Sequence, residues 1–134
     1  MATVAPPVPE VTPEMAPFWE AAHRHTLVVQ RCADCGRYRF PARDVCSHCL
    51  SREASWVPVS GRGTVFSLTV MHHAYHPAFE VPYAVVVVEL EEGARMLTNV
   101  VGCPLRTIEI GMPVEVTFEE LTPEVTLPKF RPRR

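Results

Sequence analysis

Two CxxC pairs, Cys32 with Cys35 and Cys46 with Cys49, stand ten residues apart and carry the chemistry most plainly written in this chain. Knuckles at this spacing can set four thiolates around one Zn²⁺ at about 2.3 Å each, in the tetrahedral geometry that a d¹⁰ ion accepts without strain. A four-sulfur shell leaves no position for water or substrate, so the metal is expected to clamp the fold and not to catalyse. Disulfides would need an oxidising compartment, and the N-terminus shows no basic region followed by a long apolar stretch. A redox CxxC would stand alone beside a βαβ unit, a pattern missing here.

His72, His73 and His76, followed by Phe79 and Glu80, crowd one loop between two predicted strands. Imidazole takes up protons near neutrality, which makes this loop the acid/base candidate; loop histidines are usually solvated and no orienting group is fixed by spacing, so a solvated loop is the first reading and contact with substrate or partner the alternative. Arg37, Arg39 and Arg43 fall inside the zinc loop, where rigid knuckles could present guanidinium forks to phosphate. Cys103 has no base within its local segment and is expected to be a small buried hydrophobe. No phosphate-cradling glycine loop, serine elbow or catalytic carboxylate pair is present, so no catalytic residue is assigned.

The chain has 134 residues, 47% hydrophobic and 21% charged, which fits globular structure, and no apolar run nears the eighteen or so residues that cross a bilayer. A cytoplasmic location follows as an expectation. The formal net charge of -2 removes the global attraction that drives non-specific nucleic-acid binding.

Residues 1–11, with Pro6, Pro7 and Pro9, read as a flexible or PPII-like lead-in. Residues 12–26 read as helical, with Thr12 as N-cap, Pro13 at the first helical position and Pro17 splitting the segment into two short pieces. Met15, Phe18, Trp19 and Ala22 share a face that must be buried, in this chain's own core or against a partner. Residues 27–58 form the zinc ribbon, in which Gly36 follows the first knuckle and Leu50 the second, so the second is expected to be less regular.

Residues 59–134 are read as all-β: Thr64–Val70, with Phe66, Leu68 and Val70 on one face; a central strand Tyr83–Leu90; a turn at Glu91, Glu92 and Gly93; then Met96–Val101, Val114–Glu119 and a short strand at Thr126 and Leu127 before Pro128. Short strands with one longer connection fit a Greek-key barrel of the OB type.

The order of these parts, from the helical start through Arg31, the two knuckles and Gly36, then Ser60 to Val65, Pro82 with Tyr83, and Ile110 to Val114, resembles a known family. That family is the acyl-CoA-associated OB-fold proteins with a rubredoxin-like zinc ribbon, long known as domain of unknown function thirty-five; the likeness covers about residues 12–132. It implies a mainly β chain with short N-terminal helices, and a noncatalytic subunit that docks a thiolase-fold enzyme beside its acyl-CoA path in a hetero-oligomer. One branch, similar in residues 61–65 and the histidine loop, pairs with lipid-transfer-protein-like aldolases of steroid side-chain degradation. There a β-hydroxyacyl-CoA is cleaved to a ketone and propionyl-CoA. The rival class is a single-stranded nucleic-acid module, disfavoured by the charge and by only 8% aromatic residues.

Overall fold

The structure, a computed structural model, describes residues 5–133. Residues 5–11 carry neither helix nor strand, in keeping with their prolines. A single helix follows, α1 (Ala16–His23), which corrects the expected pair of short pieces. Residues 13–15 make a turn, and Pro17 falls in the first helical turn, where its missing N–H is of no consequence. The helix closes at His25, whose φ of 58° is left-handed, with the Thr26 N–H donating to the Ala21 carbonyl at 2.9 Å. Phe18, Ala21 and Ala22 are buried, and Met15 and Trp19 pack on the same core, so the helix face is satisfied within the chain.

Two antiparallel sheets follow. In the first, β1 (Val28–Cys32) lies between β2 (Tyr38–Arg39) and β3 (Ala54–Pro58). The second contains β4 (Arg62–Met71), β5 (Tyr83–Leu90), β6 (Arg95–Thr98), β7 (Pro113–Glu120) and β8 (Thr126–Pro132), in the order β6-β5-β4-β7-β8. Its ends meet where Val100 bridges Phe130 in parallel. The Val101 N–H donates to the Phe130 carbonyl at 2.7 Å, and the Phe130 N–H to the Asn99 carbonyl at 3.0 Å. The sheet thereby curls into the five-stranded Greek-key OB barrel. One apolar core runs through both parts, joining Val65, Val86, Val88, Val114 and Phe130 of the barrel to Leu27 and Val29 of the ribbon and Phe18 of the helix.

Two strand expectations are corrected. A β-bulge between Val65 and Ser67 changes the phase of β4, so Val65 is buried and Phe66 turns outward beneath the Arg95 guanidinium, 3.7 Å from its ring centre. The last strand also continues through Pro128 to Pro132 instead of stopping before Pro128, because β8 lies at the margin of the sheet, where a missing N–H is tolerated.

Gly63 leaves no room for a side chain against β5: an added Cβ would collide with the Glu89 carbonyl and a Val88 methyl. At the junction of ribbon and barrel, Arg62 holds Glu91 through Nε at 3.0 Å and Nη2 at 3.2 Å, and the Ser60 N–H donates to Glu92 at 2.8 Å.

Candidate functional site

The four cysteine sulfurs all lie within 4.8 Å of one another, with Cys32 and Cys49 at 3.5 Å and Cys35 and Cys46 at 3.6 Å. A regular tetrahedron of sulfurs around zinc has edges of about 3.8 Å, so the donor set fits a thiolate-bound ion of this size. The knuckles are built alike. In the first, the Cys32 N–H donates to Arg37 O at 2.9 Å and the Gly36 N–H to Cys32 O at 3.0 Å; in the second, the Cys46 N–H reaches Ser51 O and the Leu50 N–H reaches Cys46 O, both at 2.9 Å. The expected irregularity of the second knuckle is therefore corrected: Leu50 takes φ 65° where Gly36 takes 78°, and bends the leucine backbone into the glycine conformation.

Backbone N–H groups also polarise the sulfurs. Those of Cys49 and His48 bring the Cys46 thiol down to about 6, and those of Cys35 and Asp34 lower Cys32. At Cys49 the Ser51 N–H pulls downward, but partial loss of hydration and the crowding of Cys32, Cys46 and Cys35 win and push the thiol up to about 12. Four sulfurs this close cannot all hold negative charge without a cation among them.

The histidine loop is ordered by aromatic packing. His73 meets Tyr75 edge-on at 4.7 Å, His76 lies 5.5 Å from Phe79, and Phe79 meets Tyr83 at 5.7 Å. The Ala78 N–H donates to His76 Nδ1 at 3.0 Å, which in the neutral ring places the proton on Nε2. His72 and His73 are exposed and His76 is half-buried. Among the described residues only the four cysteines form a group able to hold a metal, so the three histidines are not gathered as ligands.

Arg39 is engaged inside the ribbon, donating through Nε to Gln30 at 2.8 Å and through Nη2 to the Arg43 carbonyl at 2.8 Å. The side chains of Arg37 and Arg43 are exposed. Cys103 is half-buried against the core.

A cavity of about 520 Å³ lies beside the loop, lined by the apolar Phe79, Tyr83, Val100, Leu121 and Leu127, by the charged Glu80, Glu119 and Lys129, and by Pro6, Pro7 and Pro9. Neither Tyr83 nor the lead-in prolines were among the sequence-based site candidates. An aromatic next to Pro82 after a histidine loop is the one signal that pointed there.

Family models described as the ChsH2 rubredoxin-like zinc ribbon domain and the ChsH2 C-terminal OB-fold domain match residues 19–54 and 56–119. A DUF35 domain-containing scaffold protein of Methanocaldococcus jannaschii is 38% identical over 101 residues, covering 73% of this chain and 71% of that protein. The chain belongs to the DUF35 family. A probable enoyl-CoA hydratase alpha subunit of Thermomonospora curvata is 48% identical over 126 residues, 94% of this DUF35 chain but 40% of the relative. The 3-oxo-4,17-pregnadiene-20-carboxyl-CoA hydratase alpha subunit of Mycobacterium tuberculosis is 40% identical over 110 residues, 82% of this chain and 35% of that one. The chain thus spans about two fifths or less of the length of these two hydratase subunits. A solved structure described as an Ltp2-ChsH2(DUF35) aldolase superimposes with a TM-score of 0.83 at 48% identity, covering 93% of this chain and 98% of that one. No helix among the described residues is long and apolar enough to cross a membrane.

Proposed function

We propose that this DUF35 chain is a noncatalytic subunit that docks a thiolase-fold, Ltp2-like enzyme and helps form its acyl-CoA pocket, in support of retro-aldol cleavage of a β-hydroxyacyl-CoA in steroid side-chain degradation. The superposition on the Ltp2-ChsH2 aldolase subunit over almost the full length carries this reading. In it, Cys32, Cys35, Cys46 and Cys49 hold a structural Zn²⁺ that fixes the docking surface of the ribbon. The loop of His72, His73, His76 and Phe79 faces substrate or partner. Exposed Arg37 and Arg43, backed by Arg39, meet anionic groups of the partner or of CoA. The complex works in the cytoplasm, where thiols stay reduced and available to metal.

Co-expression with the Ltp2 chain of the matched complex tests this. The two chains should co-elute in size exclusion, and the pair should release a ketone and propionyl-CoA from a β-hydroxyacyl-CoA substrate. Separate elution together with enzyme activity indifferent to this chain overturns it. Cys32→Ala should impair the enzyme through lost docking, and full support by that variant refutes the role given to the metal.

A further inference from the structure

The ribbon supports its two knuckles unequally. Cys32 ends β1 and pairs with Ala54 of β3, whereas residues 40–53, which bring Cys46 and Cys49, contain no helix or strand. Cys32 and Cys46 are buried, Cys35 is half-buried and Cys49 is exposed. A metal held by four sulfurs leaves through the ligand that lets go first, and the exposed sulfur on the irregular arm is the one that solvent and competitors reach. Ser51, two residues beyond Cys49, braces that arm. Its carbonyl accepts the Cys46 N–H at 2.9 Å, its hydroxyl accepts the Glu53 N–H at 3.1 Å, and the same hydroxyl donates to the Asp34 carboxylate. Asp34 lies between Cys32 and Cys35 in the first knuckle. Apart from the contacts between sulfurs, this is the one hydrogen bond among the described residues that joins residues 32–37 to residues 46–51.

We propose that the bond between Asp34 and Ser51 is a latch on the metal: it pins the Cys49 arm to the first knuckle and sets how slowly zinc leaves. Asp34 and Ser51 are positioning residues, since neither supplies a ligand atom; they act by restraining the backbone that carries Cys49. A hydroxyl donating to a carboxylate makes a charge-assisted bond, stronger than one between neutral groups, and groups that orient metal ligands typically cost 10–100-fold in metal affinity when lost. The inference rests on the reading of Cys32, Cys35, Cys46 and Cys49 as a zinc shell and goes beyond it by naming what retains the ion.

The test follows the transfer of zinc from the full, zinc-loaded chain to EDTA, with cobalt(II) in place of zinc to report the four-sulfur shell by its thiolate charge-transfer band. Asp34→Ala and Ser51→Ala should each release zinc about ten times faster or more. The double variant should be no faster than the quicker single one, because both changes remove the same bond. Asp34→Asn keeps an acceptor oxygen and Ser51→Thr keeps the hydroxyl, so both should restore slow release, and every variant should keep the cobalt band of the native chain. Native rates in both Ala variants, rate increases that multiply in the double variant, or Asn and Thr variants as fast as the Ala ones overturn the proposal. Where an Ala variant is isolated without zinc, the Asn and Thr variants decide: retention and slow release support the latch, and their loss of metal overturns it. A native chain without a cobalt–thiolate band overturns the zinc shell and the latch together, whereas a native band with indifferent variants overturns the latch alone.

Discussion

Leu50 occupies a backbone conformation that costs a side-chain-bearing residue about 1–2 kcal/mol, yet its side chain is 75% exposed and gains little from burial. Leu50→Gly removes that strain against an entropy cost of roughly 0.5–1 kcal/mol. The expected net is a small stabilisation, read as a raised midpoint of thermal unfolding with metal content unchanged. Gly63 is the opposite case. Gly63→Ala forces a methyl group into the Glu89 carbonyl, and backbone cannot swing aside as a flexible side chain can. A loss of about 2 kcal/mol or more is expected in denaturant unfolding, since separating β4 from β5 disturbs the centre of the barrel.

At the scale of elements, the zinc loop and the junction each have a pH signature. Cys49 keeps its thiol proton at neutral pH because its value is pushed up to about 12, so an incoming metal must displace that proton. Zinc loading should release protons, and affinity should fall from pH 8 to pH 6 in competition with a chromophoric chelator. An affinity independent of pH would contradict this. At the junction, the hydrogen-bonded Arg62 guanidinium holds the Glu91 carboxyl below its ordinary 4.5. A carboxyl depressed by folding adds stability that is complete above its ordinary value and is lost as pH falls through the folded one. The gap in unfolding temperature between the native chain and Glu91→Gln should thus be widest near pH 7 and close toward pH 3.

These elements were legible in the sequence to different depths. The knuckles declared themselves because metal ligation fixes residue type and spacing together, and β5 because an apolar, β-branched run suits an interior strand. Pro17 misled because proline is read as a breaker unless the helix start is known to lie just before it. Phe66 misled because a bulge shifts period-two alternation without any local residue announcing it. The cavity was beyond reach for a simpler reason: its lining is gathered from residues 6–9, 78–84, 99–101 and 119–129, which no local pattern ties together.

For the whole molecule, Phe130 is the keystone. Fully buried, it sits where β8 meets the segment after β6, so Phe130→Ala removes both core volume and the packing around the barrel seam. A loss of about 3–5 kcal/mol is expected in equilibrium unfolding, enough to threaten a domain of this size. That same strand has a second consequence. Along the margin of β8 turned away from β7, the Phe130 N–H is already bonded to Asn99, and the residues two before and two after it are Pro128 and Pro132. No donor from 128 to 132 is left for a stranger's strand to pair with. That stretch of the barrel's border thus offers no donor to an incoming strand, which guards it against edge-to-edge pairing.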